Sequence, residues 1–144
     1  MKEYKVKIYS DRTGWYNLEG NLHREDGPAI ELKNGHKAYY INGKRHREDG
    51  PAVEHADGYK CYYINNKLHR EDGPAREYAN GDKFYLINGK LHREDGPAIE
   101  YLDGYKSYYI NGKNLTEKEF DNRTKFCENK IVEIEGVKYK LTKV

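Results

Sequence analysis

One charged motif recurs at a fixed interval through most of the chain. The letters HREDGPA occur four times, and the histidines that open the four copies are 23 residues apart. All four prolines of the chain lie inside this motif. A period of this length is typical of repeat proteins, in which each unit packs mainly against its neighbours. An active site needs its acid, base or ligand in one place, so four copies indicate a periodic, structural role.

Each 23-residue unit also contains two dipeptides that favour tight turns. The first turn follows a segment of the form Ala-x-Glu-x, and the second follows an aromatic segment such as KAYYI at 37–41. The first turns are Asn34-Gly35, Asp57-Gly58, Asn80-Gly81 and Asp103-Gly104. The second turns are Asn42-Gly43, Asn65-Asn66, Asn88-Gly89 and Asn111-Gly112. Such pairs supply the positive φ angles of two-residue hairpins. The pattern therefore predicts an all-β repeat array, an antiparallel meander of β-hairpins.

The charged motif itself is predicted to be an extended return segment that bends at Asp-Gly-Pro. Glycine permits the corner, and proline opens the next strand, where its missing N–H does least harm. The return segment should pair first with one aromatic strand and, beyond the corner, with the next one, which would curl or split the sheet. Two strands per unit advance the sheet by about 9.6 Å, so equivalent residues should form columns.

Alternation along the aromatic strand predicts two faces. Tyr16, Tyr39, Tyr62, Tyr85 and Tyr108, with Leu18, Ile41, Ile64, Ile87 and Ile110 two residues on, form the expected buried side. The opposite side is the candidate partner-binding face, because tyrosine is enriched at interfaces and a thin sheet can hardly bury both columns. Its candidate residues are Trp15, Tyr40, Tyr63, Phe84, Leu86 and Tyr109.

The arginines and histidines of the motif form a second candidate site. They are Arg24, Arg47, Arg70 and Arg93, with His23, His46, His69 and His92. The favoured interpretation is structural, with Arg, Glu and Asp pairing within and between units and His packing beside a turn. The alternative is that these columns bind small anions or nucleotides. A metal ladder would need His and carboxylate to converge on one point, which a bent extended chain does not ensure.

Composition narrows the class of function. Charged residues make up 35% of the chain, the mean hydropathy is −1.14 and the formal net charge is +2. Because charges of both signs are interspersed, nucleic acid is an unlikely partner, although the repeated lysines leave association with an anionic membrane as a third alternative. We expect no membrane span, no cofactor and no catalysis. Two unpatterned cysteines, Cys61 and Cys127, predict a reduced, cytoplasmic protein.

The ends depart from the repeat, as the caps of an array must. We assign residues 1–115 to the array, with an N-terminal cap over 1–20, residues 116–127 to a helical cap and residues 128–144 to a terminal hairpin. Thr116 and Glu119 form a capping box, which predicts a helix from about Glu117. The terminal hairpin, turning at Glu135-Gly136, could cover an edge of the sheet or provide a contact for a homo-oligomer.

The segment YANGDKFYLINGKLH at 78–92 resembles a MORN repeat, and the resemblance extends over about residues 15–113. The glycines that usually follow the MORN histidine are replaced by Arg-Glu-Asp-Gly-Pro-Ala. The chain is therefore most similar to the HREDGPA-type variants of phage, giant-virus and bacterial proteins. That resemblance implies a scaffold or binding surface and no catalysis. By analogy we expect a small cytoplasmic phage or bacterial protein, in the host cytoplasm if viral, that docks on another protein and blocks host anti-phage defence machinery.

Overall fold

The computed structural model describes residues 3–128, 131–134 and 136–140. In chain order the elements are β1 (Lys5–Ile8), β2 (Arg12–Tyr16), β3 (Ile30–Leu32), β4 (Lys37–Ala38), β5 (Tyr40–Ile41), β6 (Lys44–Arg45), β7 (Val53–Glu54), β8 (Lys60–Cys61), β9 (Tyr63–Ile64), β10 (Lys67–Leu68), β11 (Arg76–Glu77), β12 (Lys83–Phe84), β13 (Leu86–Ile87), β14 (Lys90–Leu91), β15 (Ile99–Glu100), β16 (Lys106–Ile110), β17 (Lys113–Leu115), α1 (Glu117–Glu128), β18 (Ile131–Ile134) and β19 (Val137–Lys140). This architecture confirms the predicted all-β array of antiparallel hairpins.

Most of these strands join one long open sheet. Its 11 strands lie in the order β1-β2-β3-β4-β7-β8-β11-β12-β15-β16-β17, and every neighbouring pair is antiparallel. Each 23-residue unit contributes its Ala-x-Glu strand and the first half of its aromatic strand. Val53, for example, lies opposite Ala38 on one side and opposite Cys61 on the other. Equivalent residues of successive units are therefore aligned in columns, as the period predicts.

The aromatic strand is divided into two halves by its first tyrosine. The N–H of Tyr39 donates to the carbonyl of Ala52 at 2.8 Å, and the carbonyl of Tyr39 accepts from the N–H of His46 at 3.1 Å. The residues before Tyr39 thus pair in the main sheet, while β5 pairs with the return strand β6. Beyond His46, the N–H of Arg47 donates to the carbonyl of Tyr63 in the next unit. The predicted change of partner at the corner is confirmed, and it splits the sheet in the way expected.

The second turns have the conformation that their sequence predicts. Their first asparagines have φ between 47° and 50°, and the following residue also has a positive φ. Asn66 takes the place of glycine in one unit with a φ of 66°, a value that asparagine tolerates better than most residues. Each turn also donates to the unit before it, as in the hydrogen bond from Gly43 N to Leu22 O at 2.8 Å. The turns therefore join successive units.

The structure corrects the place of Trp15 in the repeat. The N–H of Trp15 donates to Ala29 O and its carbonyl accepts from His23 N, which are the hydrogen bonds made by Tyr39 in the next unit. Trp15 is thus equivalent to Tyr39, and Tyr16 is equivalent to Tyr40. The predicted columns are wrong by one residue here because the turn over 17–21 is longer than the two-residue turns of the later units. Trp15 consequently lies on the side opposite to the candidate partner-binding face.

The most deeply buried of the described side chains are small, namely the motif alanines and Cys61. The motif alanines Ala29, Ala52, Ala75 and Ala98 have 0% exposure, whereas Tyr39, Tyr62 and Tyr85 are only half-buried and Leu18 is 61% exposed. The expectation that the tyrosine and isoleucine columns form a buried side is therefore only partly met. The alanines are buried because their carbonyls accept the N–H groups of Trp15 or of the first tyrosine of an aromatic strand, which brings two backbones close together.

The C-terminal cap begins as predicted. The hydroxyl of Thr116 accepts from the N–H of Glu119, and the Glu119 carboxylate accepts from the Thr116 N–H at 2.8 Å, so the capping box is formed. Phe120 is 5% exposed and its ring lies 4.9 Å from that of Tyr108. β18 and β19 pair as an antiparallel hairpin. Glu135 and the side chains of Phe126 and Cys127 lie outside the described residues.

Removal of one whole unit should leave a folded protein. Deleting residues 53–75 joins Ala52 to Arg76 and restores the Ala-x-Glu register, so we expect a shorter sheet with cooperative unfolding and a lower midpoint. Far-UV circular dichroism and the fluorescence of Trp15 measure both properties. Deleting residues 53–63 is the control, because half a unit breaks the register and should abolish folding. Loss of folding on removal of the whole unit would contradict the array.

Candidate binding surfaces

One side of the array, which we call the arginine face, is organised by the arginines of the charged motif. It comprises Arg24, Arg47, Arg70 and Arg93 with the rings of Trp15, Tyr39, Tyr62 and Tyr85 beneath them. The guanidinium carbon lies 3.9–4.2 Å from the centroid of the ring in each case. Such stacking is favourable because the negative face of the ring attracts the cation.

Each of these arginines is also held by hydrogen bonds from its own corner. Arg70 donates from Nε to Asp72 at 2.9 Å and from Nη1 to the carbonyl of Pro74 at 3.4 Å and to Glu77 at 2.9 Å. Arg47 and Arg93 make the equivalent bonds, and Arg24 makes them to Asp26 and Pro28, with Glu31 at 3.6 Å. The guanidinium thus ties together the corner, the next strand and the ring below.

Electrostatics at the corner follow from these bonds. Burial by itself would lower the pKa of Arg70, but the hydrogen bond to Asp72 and the nearby Tyr62 and carboxylates raise it above its ordinary value. The hydrogen bond from Arg70 in turn lowers the pKa of Asp72 below its ordinary 3.8. The pair is therefore charged near neutral pH.

The glycine of the motif is required for space. A Cβ on Gly73 would lie 2.9 Å from the guanidinium carbon of Arg70, and Gly27, Gly50 and Gly96 are similarly close to their arginines. The φ angles of these four glycines are not positive, so glycine permits the corner through its small volume and not through a left-handed backbone. Glycine is needed because the side chain of Arg70 occupies the volume that a Cβ would take.

The histidines of the motif connect neighbouring units. Nδ1 of His69 accepts from the N–H of Asn88 in the next unit at 3.1 Å, and His23, His46 and His92 accept from Asn42, Asn65 and Asn111. Nε2 of His69 lies 3.7 Å from the Glu71 carboxylate. Nδ1 must be unprotonated to accept this bond. The histidine column is thus part of the joint between units, in agreement with the structural interpretation.

Three open clefts separate successive corners on the arginine face. Their volumes are about 470, 840 and 810 Å³ along the chain. The cleft between the second and third corners has Tyr62 and Ile64 among its lining residues and is bordered by Glu48 and Asp49. These two carboxylate side chains are 85% and 84% exposed, whereas Arg47 is 23% exposed. An anion entering this cleft would meet carboxylates first and arginines already engaged with protein acceptors.

The other side of the array, which we call the aromatic face, carries the second tyrosine column and a row of rings. The column is Tyr16, Tyr40, Tyr63, Leu86 and Tyr109. The row is His36, His55, Tyr59, Tyr78, Phe84, Tyr101 and Tyr105, in which each ring centroid lies 4.2–5.8 Å from the next. Tyr78, Tyr101 and Tyr105 are 38%, 39% and 60% exposed. This face therefore offers a continuous, partly exposed aromatic surface across four units.

The row is maintained by an exchange of residues in the third unit. His36, Tyr59 and Tyr105 occupy one position of the repeat, and the third unit has Asp82 there. Two residues later the third unit has Phe84, where the other units have the small residues Ala38, Cys61 and Ser107. The Phe84 ring lies 5.6 Å from Tyr78 and 5.7 Å from Tyr101, so it fills the gap. Where the ring is present, the small residue fits below it, as in the hydrogen bond from Cys61 Sγ to Tyr59 Oη at 2.9 Å.

Two arginines are set among these rings. Arg45 lies opposite Tyr40 and donates from Nε to the Tyr40 hydroxyl at 3.2 Å, with its guanidinium carbon 5.5 Å from the ring centroid of Tyr63. Arg76 lies opposite both Cys61 and Phe84, with its guanidinium carbon 6.0 Å from the Phe84 ring centroid. Burial raises the pKa of the adjacent Tyr59, and the hydrogen bond with Cys61 adds to that effect. The guanidinium groups of Arg45 and Arg76 thus lie beside aromatic side chains of this face.

The structure brings together most of the residues predicted for the partner-binding face. Tyr40, Tyr63, Phe84, Leu86 and Tyr109 share the aromatic face, and only Trp15 is elsewhere. Leu86 is 9% exposed, so it contributes little accessible surface. Of the ring row, the sequence reasoning predicted only Phe84. The other members stand two residues before Ala38 or its equivalents, or two residues after Val53 or its equivalents. Period-two counting across the whole unit would have found them.

Among the described residues, no group of three or more His, Cys, Asp or Glu side chains is placed to hold a metal ion. In the same part of the chain, no helix is long and apolar enough to cross a membrane. The register places Lys37 opposite Glu31 and Glu54, although the ion pairs of these two carboxylates are with Arg24 and Arg47.

Comparison with known proteins gives no relative: no protein-family model matches the chain, and no curated protein is significantly similar to it. The resemblance to MORN-like repeats therefore stays a prediction from the repeat motif.

Replacing a motif arginine by lysine should destabilise the fold. Arg70→Lys keeps the charge but loses the fork that bonds Asp72, Pro74 and Glu77, so we expect a loss of about 1–3 kcal/mol in the free energy of unfolding. Urea denaturation followed by Trp15 fluorescence measures it. Arg12→Lys, at an exposed position, is the matched control and should change stability by about 0.5 kcal/mol or less. Equal losses of stability in the two variants would show that the hydrogen bonds of Arg70 contribute no more than the contacts of an exposed arginine.

Acid should weaken the corners in a defined pH range. Because the folded-state pKa of Asp72 is lower than the unfolded value, its contribution to stability is complete above about pH 4 and is lost as the pH falls through the folded pKa. Asp72→Asn should therefore be less stable than the native chain at pH 7, and the two stability curves should converge as the pH falls below the lowered pKa of Asp72. Urea midpoints measured from pH 2 to 7 test this, and a difference that is constant with pH would contradict it.

Proposed function

We propose that the chain is a non-enzymatic repeat protein that binds another protein through its aromatic face. The observation that carries this proposal is the contrast between the two sides of the array. On the arginine face, the arginine, aspartate and histidine of the charged motif are hydrogen-bonded within the array. On the aromatic face the residues vary between units while the ring row is kept continuous.

The chemistry of the aromatic face suits a protein partner. Half-exposed tyrosines combine a large apolar area with a hydroxyl group, and they lose little conformational entropy when they are covered. Arginine is also enriched in interfaces, and Arg45 and Arg76 lie among these rings. A partner would therefore meet rigid aromatic contacts with two cations beside them.

The resemblance to HREDGPA-type repeats extends this proposal to a biological setting. A small cytoplasmic phage or bacterial protein that blocks a host defence protein would need a binding surface and no catalytic residues. The support for this setting is the repeat motif alone.

A second candidate function, storage of small anionic ligands or nucleotides between arginines and tyrosines, is less well supported. The guanidinium groups of Arg47, Arg70 and Arg93 already bond an aspartate, a glutamate and a backbone carbonyl. The clefts between them are bordered by exposed carboxylates, which repel anions.

Removing exposed rings should abolish partner binding and preserve the fold. Tyr78→Ala with Tyr105→Ala removes two of the most exposed rings of the row, so we expect a protein captured by the native chain from its host to lose at least tenfold in affinity. Mass spectrometry identifies the captured protein, and calorimetry with that purified protein measures the affinity. Lys67→Ala with Lys90→Ala, on exposed positions of the arginine face, is the matched control and should bind normally.

Two outcomes would contradict the proposed function. One is a partner whose affinity falls in the lysine control and not in the tyrosine variant. The other is heat of binding with members of a nucleotide panel that is lost in Arg70→Lys, which would favour the ligand-storage function.

A further inference from the structure

Two arginines on the aromatic face stand where the other units carry aliphatic side chains. Arg45 takes the place of Leu22, Leu68 and Leu91, and Arg76 takes the place of Ile30, Val53 and Ile99. The repeat therefore folds without arginine at either position. A residue that departs from its own repeat in this way needs an explanation outside the scaffold.

Arg76 is only partly satisfied within the fold. Its guanidinium is hydrogen-bonded to Tyr78 and lies beside the Phe84 ring, but its Nε atom is buried and has no hydrogen-bond partner in the structure. A buried donor without a partner is unfavourable compared with an aliphatic side chain of suitable shape. The aliphatic residues of the other units should therefore serve the scaffold at least as well as Arg76 does.

The aromatic face carries more positive than negative charge. Arg45 and Arg76 lie on this side, and Asp82, just before β12, is the acidic residue near them. The oxygens of Asp82 accept from the N–H of Leu102 at 2.8 Å and from Asn80 at 2.9 Å. Among the described residues, the groups that interact with the two arginines are tyrosines and Cys61 and not carboxylates, so both charges can pair with an acidic partner.

We infer that the partner protein contacts this face with an acidic segment whose carboxylates pair with Arg45 and Arg76. This inference rests on the proposed function. The guanidinium groups of Arg45 and Arg76 lie beside the rings of Tyr40, Tyr63 and Phe84. A segment that covers these rings would therefore bring its carboxylates next to both positive charges.

The arrangement of the rings favours a peptide over single-stranded nucleic acid. From His55 to Tyr105 the neighbouring rings are inclined to one another by 45–87°, so they pack edge to face or obliquely. Base stacking needs flat, open ring faces. Tyr78, Tyr101 and Tyr105 are partly exposed and combine an apolar ring with a hydroxyl group, which suits the mixed apolar and polar surface of a polypeptide.

The repeat itself supplies the variants for the test. Arg45→Leu and Arg76→Ile restore the residues of the other units, so the double variant should keep its circular dichroism spectrum and an unchanged or higher thermal midpoint. Lys67→Gln with Lys90→Gln removes the same charge from the arginine face and is the matched control. A displayed library of random twelve-residue peptides is selected on the full-length native chain, on both double variants and on Tyr78→Ala with Tyr105→Ala.

The expected result is at least a threefold excess of Asp and Glu in peptides selected on the native chain and on the lysine control. The excess should disappear on the arginine variant, and a selected acidic peptide should bind that variant at least tenfold more weakly. Peptides that need Tyr78 and Tyr105 but show no acidic excess would overturn this inference and leave the proposed function standing. No binders, or binders indifferent to the tyrosine variant, would overturn both. Tighter binding of a thymidine oligonucleotide than of any selected peptide at 150 mM salt would also overturn the inference.

Discussion

The stacking of a guanidinium on an aromatic ring at each corner is the interaction on which the array depends. A thin sheet buries few large side chains, and the residues with no exposure are mainly alanines. The arginine compensates because it joins three elements that are separate in sequence: the corner, the Ala-x-Glu strand and the ring beneath. The guanidinium of Arg70, for example, is half-buried and donates at once to an aspartate, a glutamate and a carbonyl, and hydrogen bonds from a charged donor are stronger than those between neutral groups. The glycine of the motif is then determined by the arginine's volume.

The two faces of the array differ in how strongly the contacts between units constrain their residues. The arginine face is nearly identical from unit to unit, because each unit must present the same groups to the next. The aromatic face is released from that requirement, so its residues change while its surface stays continuous. In a repeat protein the interface between units fixes stability, and the remaining surface is free to acquire a partner. Arg76 is an example, because the other units have an aliphatic residue at its position and its buried Nε has no hydrogen-bond partner.

Much of the fold could be predicted from the sequence because its signals are local. The second-turn dipeptides, strand alternation and the capping box at Thr116 depend on neighbouring residues, and the structure bears them out. In the first turns only the glycine has a positive φ, so these are not the two-residue turns that the dipeptides predicted. The place of Trp15 could not be predicted by counting back from the motif, because one additional residue in a turn moves every side chain before it to the other face. The role of the motif glycine was also missed, since it depends on where the Arg70 side chain lies in three dimensions.

The candidate site was only partly predictable for a related reason. The tyrosine column follows from alternation within one strand, but the ring row involves residues from neighbouring strands and from both sides of a turn. Its members have different identities at equivalent positions, so similarity between units conceals them. Asp82 and Phe84 can be understood only as a pair.

That pair also shows that the units are not interchangeable. An array assembled from identical copies of the third unit would carry Asp at every position where rings such as Tyr59 now stand, and one built from copies of the second would lack Phe84 entirely. Both arrays could keep the same backbone, but the side chains along the aromatic face would differ from those of the native chain. The order of the near-identical units therefore determines the surface of the aromatic face, whereas the arginine face is almost the same in every unit.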